Sequence, residues 1–583
     1  MSETKKCKQC NQKFIVEDDD LLFYKKISPT FDGKVYEIPS PTFCPECREI
    51  RRLIWRNDKV LYKNKSSKSG IDIVSTFSPD KKYLVYSASE WHGDSWDGTQ
   101  YAQDYDPNKS FFEQFNDLYQ KVPHFAVQNL NNENCEYANY IMYCKNCYMS
   151  YVCFYNSEDV LYSYVTYTCK QCSDCLYCEK CEKCFKLISS NNCYNCNYSI
   201  RLSNCHDCYY SIDLIGCSDC LFCSNLKQKQ FFIRNKQYSK KEYEKEKLKY
   251  NFGSYSENLK YCDEFTKLRE NTFVKFASIL NCENCEGHDL KNSKNIRSSF
   301  AQFGSEDIKY SLRTAKAKNC QDVMGGTLEN SFECIAVGFG ANYLFCGNCE
   351  ESSFLIYCLE SFYSHNCFGC VGLKHKEYCI LNKQYTKEEY EKTVSKIIEK
   401  MRVDGEWGQF FPMNLSPYCY NETVANLWFP KTHKEAVNFG TKWQDNDFSI
   451  KYDGQFYEPK DNISDYHDNE NERKNLLAGV LKCEVSDKPF KVTSQELAFY
   501  LENNVPIPKK HYDVRFQESF SIMNPRHLWK RQCMCEESGH GHPSFAEATE
   551  GKLGRCKNEF KTTYAPDRPE KVYCEACYQK SIL

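Results

Sequence analysis

Pairs of cysteines spaced CxxC recur every 12 positions in this chain: Cys169/Cys172, Cys181/Cys184, Cys193/Cys196, Cys205/Cys208 and Cys217/Cys220, five units without a slip. A fixed period this short means that one small structural unit is stacked on copies of itself. Twelve residues are too few for a helical-hairpin repeat and suit one coil of a narrow β-solenoid. In the aligned units CYNCNYSIRLSN and CHDCYYSIDLIG, the second Cys, Tyr, Ile and Leu fall on alternate residues. That is the period of a strand with one buried face.

The register outlasts the cysteines. Upstream it passes through Cys144/Cys147 and Val160. Downstream a second block runs through Cys282/Cys285, Ile296, Ile308, Cys320, Ser331 and Tyr343. Just before the second slot stand Asn146, Asp159, Asn195, Asp207, Asp219, Asn295, Asp307, Asn319, Asn330 and Asn342. Asn and Asp tolerate left-handed backbone and satisfy turn amides, so a polar ladder at a coil corner is expected.

Two longer duplications frame the repeats. NLKQKQFFIRNKQYSKKEYEK (225–245) matches GLKHKEYCILNKQYTKEEYEK (372–392). In each copy Ser239 with Glu242, or Thr386 with Glu389, has the capping-box spacing, which predicts a helix closing each solenoid. The chain ends are also related. Cys7, Phe14, Phe23 and Tyr24 align with Cys483, Phe490, Phe499 and Tyr500. After one length change, Arg48, Asn57 and Leu61 align with Arg515, Asn524 and Leu528. The order is therefore module, solenoid, solenoid, module.

The modules carry the metal-binding signal. Cys7, Cys10, Cys44 and Cys47 form two CxxC knuckles, the arrangement of a structural zinc ribbon. The matching positions of the second module hold Cys483, Ser486, His511 and Val514, too few ligands for a zinc. Near the C-terminus Cys574 and Cys577 supply a knuckle, and Cys556 with Cys535, or alternatively Cys533, completes four. His540 and His542 are runner-up ligands. About two structural Zn2+ ions and no catalytic residue are expected. Adjacent coils lie about 4.8 Å apart, so the solenoid thiols could also clamp metal, but the same slots hold Val, Ile and Ser elsewhere, which favours small core filler.

Composition restricts the rest. With 39 cysteines in 583 residues and no apolar leader in MSETKKCKQC, a cytoplasmic protein with free thiols is expected. A net charge of -3 argues against whole-molecule capture of nucleic acid. Arg48, Arg51, Arg52 and Arg56, at roughly helical spacing after the first ribbon knuckle, remain candidate contacts to RNA, DNA or a ribosome. The tryptophan- and aspartate-rich stretch 90–106, FFEQF (111–115) and WGQFFPMNLSPY (407–418) read as packing segments. No phosphate loop, nucleophile elbow or HExxH occurs.

The combination CPECR, RN, LYK, SPDK, FFEQF, NKQYTKEEYEK, WGQFFPMNLSPYCYNET and YAPDRPEKVYCEACYQ resembles a family of uncharacterised zinc-ribbon, cysteine-rich repeat proteins from bacteria of the candidate phyla radiation. The likeness spans nearly the whole chain. It implies zinc-binding ribbons and no activity that carries over. The chain departs from the family at Ser486, His511 and Val514, and at Asn64–Ser67, where the family often has a cysteine after LYK. SFAEATEGKLG (544–554) looks like an insertion.

The fold class expected is mainly β: zinc-ribbon modules at both ends flanking two narrow cysteine-rich β-solenoids with helical caps. The divisions are a zinc ribbon (1–66), an aromatic-rich connector (67–127), solenoid 1 (128–236), a helical cap (237–271), solenoid 2 (272–384), a helical cap (385–402), a connector (403–480), a degenerate ribbon (481–532) and a C-terminal zinc ribbon (533–583). The function expected is a non-enzymatic zinc-binding scaffold or interaction protein whose protein partner is unidentified, with no membrane association. The alternatives are a nucleic-acid- or ribosome-associated ribbon protein and a thiol-redox or metal-buffering protein.

Overall fold

In a computed structural model the chain is mainly β and its cysteine-rich repeats form parallel β-solenoid coils, with helices gathered in the flanking modules and caps. Residues 2–448, 451–536 and 556–582 are described; His540, His542 and the 544–554 segment lie outside them. Contacts divide the chain into two units. One joins residues 1–127 to 277–446, the other joins 128–276 to 447–583. Each terminal module thus belongs with the solenoid farther from it in sequence.

In the second unit, the coils stack in parallel register. Val160 pairs with Cys172 and Cys208 with Cys220, and single bridges Lys170↔Glu182 and Glu182↔Tyr194 carry the stack between them. The first unit reproduces the expected series without exception: Cys285↔Ile296, Ile296↔Ile308, Ile308↔Cys320 and Cys320↔Ser331, then the Tyr343 amide on Ser331 Oγ at 3.2 Å. Each stack ends where the chain doubles back in an antiparallel turn, at Phe232↔Gln237 and Cys379↔Gln384. The helices that follow, Lys240–Lys247 and Lys387–Asp404, start at the expected Ser239/Glu242 and Thr386/Glu389 boxes. Their Tyr243 and Tyr390 are buried.

The period along a coil is three, not the two read from CYNCNYSIRLSN. Residues in the left-handed region recur at every third position, as at Asn192, Asn195, Tyr198, Arg201 and Asn204. The ten Asn and Asp residues of the expected ladder all adopt it. A coil therefore has four short sides, each contributing one inward side chain. Cys193, Cys196, Ser199 and Leu202 fill one layer, and Cys205, Cys208, Ser211 and Leu214 the next, all at most 2% exposed. Tyr198 and Ile200, expected on the inner face, project outward instead. A side of three residues is too short for a two-residue alternation to survive the corner.

Left-handed backbone costs an ordinary residue roughly 1–2 kcal/mol, so the corners need compensation. Side-chain ladders supply part of it, with Asn195 donating to Asp207 at 2.6 Å and Asn295 to Asp307 at 2.8 Å. The interior explains the exchange of Cys for Ser. Cys196 Sγ donates to the Tyr194 carbonyl at 3.4 Å, while Ser199 Oγ donates to the Asn197 carbonyl at 2.9 Å and accepts from the Ser211 amide at 3.1 Å. Either group is satisfied by the backbone of its own coil and the next, so small buried polar filler is enough.

In the first unit, the aromatic connectors pack as expected. Phe111, Phe112 and Phe115 lie on the Phe111–Lys121 helix. Phe111 meets Tyr357 and Phe368, and Phe115 meets Phe411. Trp91 is fully buried against Phe125 and Phe362.

Candidate metal centres

In the first unit, the Glu3–Lys6 and Lys13–Val16 strands form an antiparallel hairpin. Cys7 follows its first strand and Cys10 precedes its second. Asn11 makes the tight reversal between them with positive φ, its amide on the Cys7 carbonyl at 2.9 Å. Cys44 is the N-cap of the Pro45–Leu53 helix and Cys47 lies in its first turn, with Pro45 opening the helix. The four Sγ atoms lie within 4.8 Å of one another. Cys10 and Cys44 are 3.7 Å apart, and the Cys44 amide donates to Cys7 Sγ at 3.3 Å. Hydrogen bonds from Cys47 pull the Cys44 thiol down to about 5, while the same bond with Cys44 pushes Cys47 upward.

The second unit holds a like cluster of Cys533, Cys556, Cys574 and Cys577, also within 4.8 Å. Cys533 follows the Trp529–Gln532 strand, which pairs antiparallel with Glu559–Thr562. Cys574 caps the Glu575–Ser581 helix, as Cys44 caps its own. Its amide donates to Cys533 Sγ at 3.2 Å, repeating the Cys44 to Cys7 bond, and its sulfur lies 4.0 Å from Cys556. Burial opposes ionisation of Cys574, but bonds from Asn558 and Cys577 prevail and hold it at about 7.

One ligand assignment changes. Cys535 was expected as the fourth member, and the structure gathers Cys533 instead. Two positions apart on an irregular extended segment, the two sulfurs are carried to different places, and Cys535 is engaged through its carbonyl, which accepts the Cys556 amide at 3.0 Å. At the degenerate position Cys483 Sγ accepts the Ser486 amide at 3.4 Å, and His511 Nδ1 caps the Tyr512–Phe520 helix by accepting from Asp513.

Both clusters suit one kind of ion. Four thiolates about 2.3 Å from a tetrahedral zinc are about 3.8 Å apart, and the two S–S separations above bracket that value. Amide donors onto sulfur are the outer bonds that orient thiolate ligands. The two four-cysteine clusters can hold metal ions. Among the described residues, no three solenoid thiols come as close together as either cluster.

The basic helix is corrected. Arg48, Arg51, Arg52 and Arg56, expected as nucleic-acid contacts, are all buried. Arg48 and Arg52 bind Asp322 at 2.8 and 3.0 Å, Arg51 binds Glu333 at 2.7 Å, and Arg56 binds Asp58 at 2.6 Å. The first three join the module to its solenoid, and all four are withdrawn from phosphate. The second unit repeats the joint. Arg515, aligned with Arg48, binds Asp174 at 2.9 Å. The guanidinium of Arg48 lies 5.4 Å from the Tyr310 ring, and that of Arg515 lies 4.8 Å from Tyr162. Phe332 receives Tyr24 as Phe185 receives Tyr500. Asp322, Glu333 and Asp174 were not singled out from the sequence; the only signal was that Asp174 and Asp322 occupy equivalent left-handed corners.

No protein-family model and no curated protein matches the chain. Among solved structures, a chain described as a putative acetyltransferase from Desulfovibrio desulfuricans G20 is matched over 48% of this chain and 81% of its own, at 7% identity and a TM-score of 0.10. That score is too low to carry a fold or an activity across. Among the described residues, no helix is long and apolar enough to cross a membrane.

Proposed function

We propose that the chain is a non-enzymatic cytoplasmic scaffold or interaction protein of the zinc-ribbon kind it resembles, with structural zinc in both four-cysteine clusters and the solenoid coils as its presenting surface. The observation that carries this reading is the pair of closed four-thiol clusters, one in the N-terminal module that buried arginines join to its solenoid and one in the C-terminal ribbon, whose Lys571–Tyr573 strand pairs with Phe273–Lys275. Four thiolates saturate a tetrahedral zinc and leave no position for substrate, which suits a structural ion. The nucleic-acid alternative loses the four arginines on which it rested. The test is removal of the metal from the full chain. Chelation should unfold the N-terminal module and the C-terminal ribbon while the solenoids keep their β signature in circular dichroism, and partner capture from the native cell should identify what the coils bind. Modules that stay folded without metal would refute the structural role, and turnover traced to either cluster would refute the scaffold.

A further inference from the structure

The two solenoids open on nearly the same coil. LNNENCE (130–136) and LNCENCE (280–286) agree at six of seven positions, whereas the coils stacked on them, MYCKNCY (142–148) and KNSKNIR (291–297), agree at two. Burial does not explain the likeness. Leu280 is 55% exposed, Cys135, Cys282 and Cys285 are half-exposed, and the Glu133 and Glu283 side chains are 71% and 72% exposed. Cys147 and Ile296, one coil further in, are sealed. The far end of each stack is closed by an antiparallel turn. The opening coils pair only inward, Glu133 with Lys145 and Glu283 with Lys294, and among the described residues no strand or bridge pairs with the outer side of 130–136 or 280–286. Asn146 donates its amide to the Glu133 carbonyl at 2.9 Å, but Asn134 has no coil outside it to take the same bond.

Charge says what the open edge would accept. Along one outer column both stacks alternate strictly: Glu133, Lys145, Glu158, Lys170, Glu182 in the second unit, and Glu283, Lys294, Glu306, Lys318, Glu329 in the first. A glutamate inside a stack, such as Glu158 or Glu306, has a lysine on the coil at either side. Glu133 and Glu283 end the columns and pair with one lysine each, at 3.2 and 3.4 Å. Glu136 and Glu286 repeat the negative charge one coil side along. We infer, building on the reading of the chain as an interaction protein, that the opening coils are strand-addition sites for an extended basic segment of a partner protein, with Lys or Arg three residues apart set over Glu133 and Glu136, or over Glu283 and Glu286. Main-chain pairing to an open edge supplies affinity, and the side chains set over it supply selection. The chain carries its own template, since Lys294 and Arg297 stand three apart on the coil beneath Glu283 and Glu286. A second copy meeting the same face would set glutamate against glutamate, which opposes edge-to-edge stacking.

The test titrates a fluorescent peptide, KNSKNIRSS, copied from residues 291–299, into the full chain and follows its anisotropy. KNSENIESS is the control. The basic peptide should bind and the acidic one should not, and added salt should weaken the binding. Glu133→Lys with Glu283→Lys turns one exposed attraction at each edge into a repulsion and should weaken it about five- to ten-fold. Because the new lysines would face Lys145 and Lys294, Glu133→Gln with Glu283→Gln is the second variant, with an expected loss of about two- to three-fold. Equal binding of the two peptides, or binding that neither variant changes, would overturn the inference. Sedimentation in which wild type self-associates and the Gln variant does not would give the edge to a second copy instead. Partners captured from the native cell equally by wild type and the Gln variant would refute the edge while leaving the interaction reading intact.

Discussion

Replacing Arg515 by Ala removes the central charge of the second joint. The side chain is 2% exposed, its Nε lies 2.9 Å from Asp174, and its Nη2 lies 3.9 Å from Glu496. Without it, two buried carboxylates face each other with no guanidinium between them. Breaking a buried pair from one side costs about 3–5 kcal/mol. At about 2–4 °C per kcal/mol for a unit of this size, the calorimetric transition of the second unit should fall by roughly 6–20 °C. Asp174→Asn added to Arg515→Ala keeps a residue tolerant of the left-handed corner and removes one stranded charge, so about half the loss should return. Because the pair is buried, 1 M NaCl should leave the difference nearly unchanged. A loss below about 1 kcal/mol that vanishes in salt would be the behaviour of an exposed ion pair and would refute the clamp. Arg48→Ala should cost less, since Asp322 keeps Arg52 at 3.0 Å.

Three other outcomes follow from the same reasoning. Cys533→Ser should release one metal equivalent per chain on elemental analysis, while Cys535→Ser should release none; the reverse result would restore the ligand set expected from the sequence. Asn195→Val should lower stability by about 1–2 kcal/mol in chemical denaturation, because a β-branched residue is strained at a left-handed corner, whereas Asn195→Gly should cost only the side-chain bonds to Asp207 and Tyr209. Burial, reinforced by Glu351, raises the Glu350 carboxyl to about 7. Its folded value thus lies above its unfolded one, so stability should decline as pH rises from about 4.5 through 7, by up to about 3 kcal/mol. Glu350→Gln should flatten that slope, and an unchanged pH profile would place the cause elsewhere.

The solenoid was legible because the same side chain returns at the same step, and its register could be followed through Ile296, Ile308 and Tyr343 where cysteine gives way. The coil's cross-section was not. CYNCNYSIRLSN fits an alternating strand as well as a three-residue side, and only the backbone shows that Tyr198 is a left-handed corner. The first thiol cluster was legible from its spacing alone. The second was ambiguous because Cys533 and Cys535 flank one residue, and only the path of the backbone there decides between them. The docking of the modules was hidden for a different reason. Arg48 and Asp322 are 274 residues apart, and two related modules have equal sequence claims on two related solenoids.

The most direct measurement is the zinc content of the purified full chain, followed by chelation. Two zinc ions per chain, retained through desalting and lost together with the folded modules when a strong chelator is added, is the result that the two closed four-cysteine clusters require. A chain that holds none while its modules stay folded, or that holds five or more because the coils themselves are loaded, would contradict the division between metal-built modules and a thiol-filled solenoid.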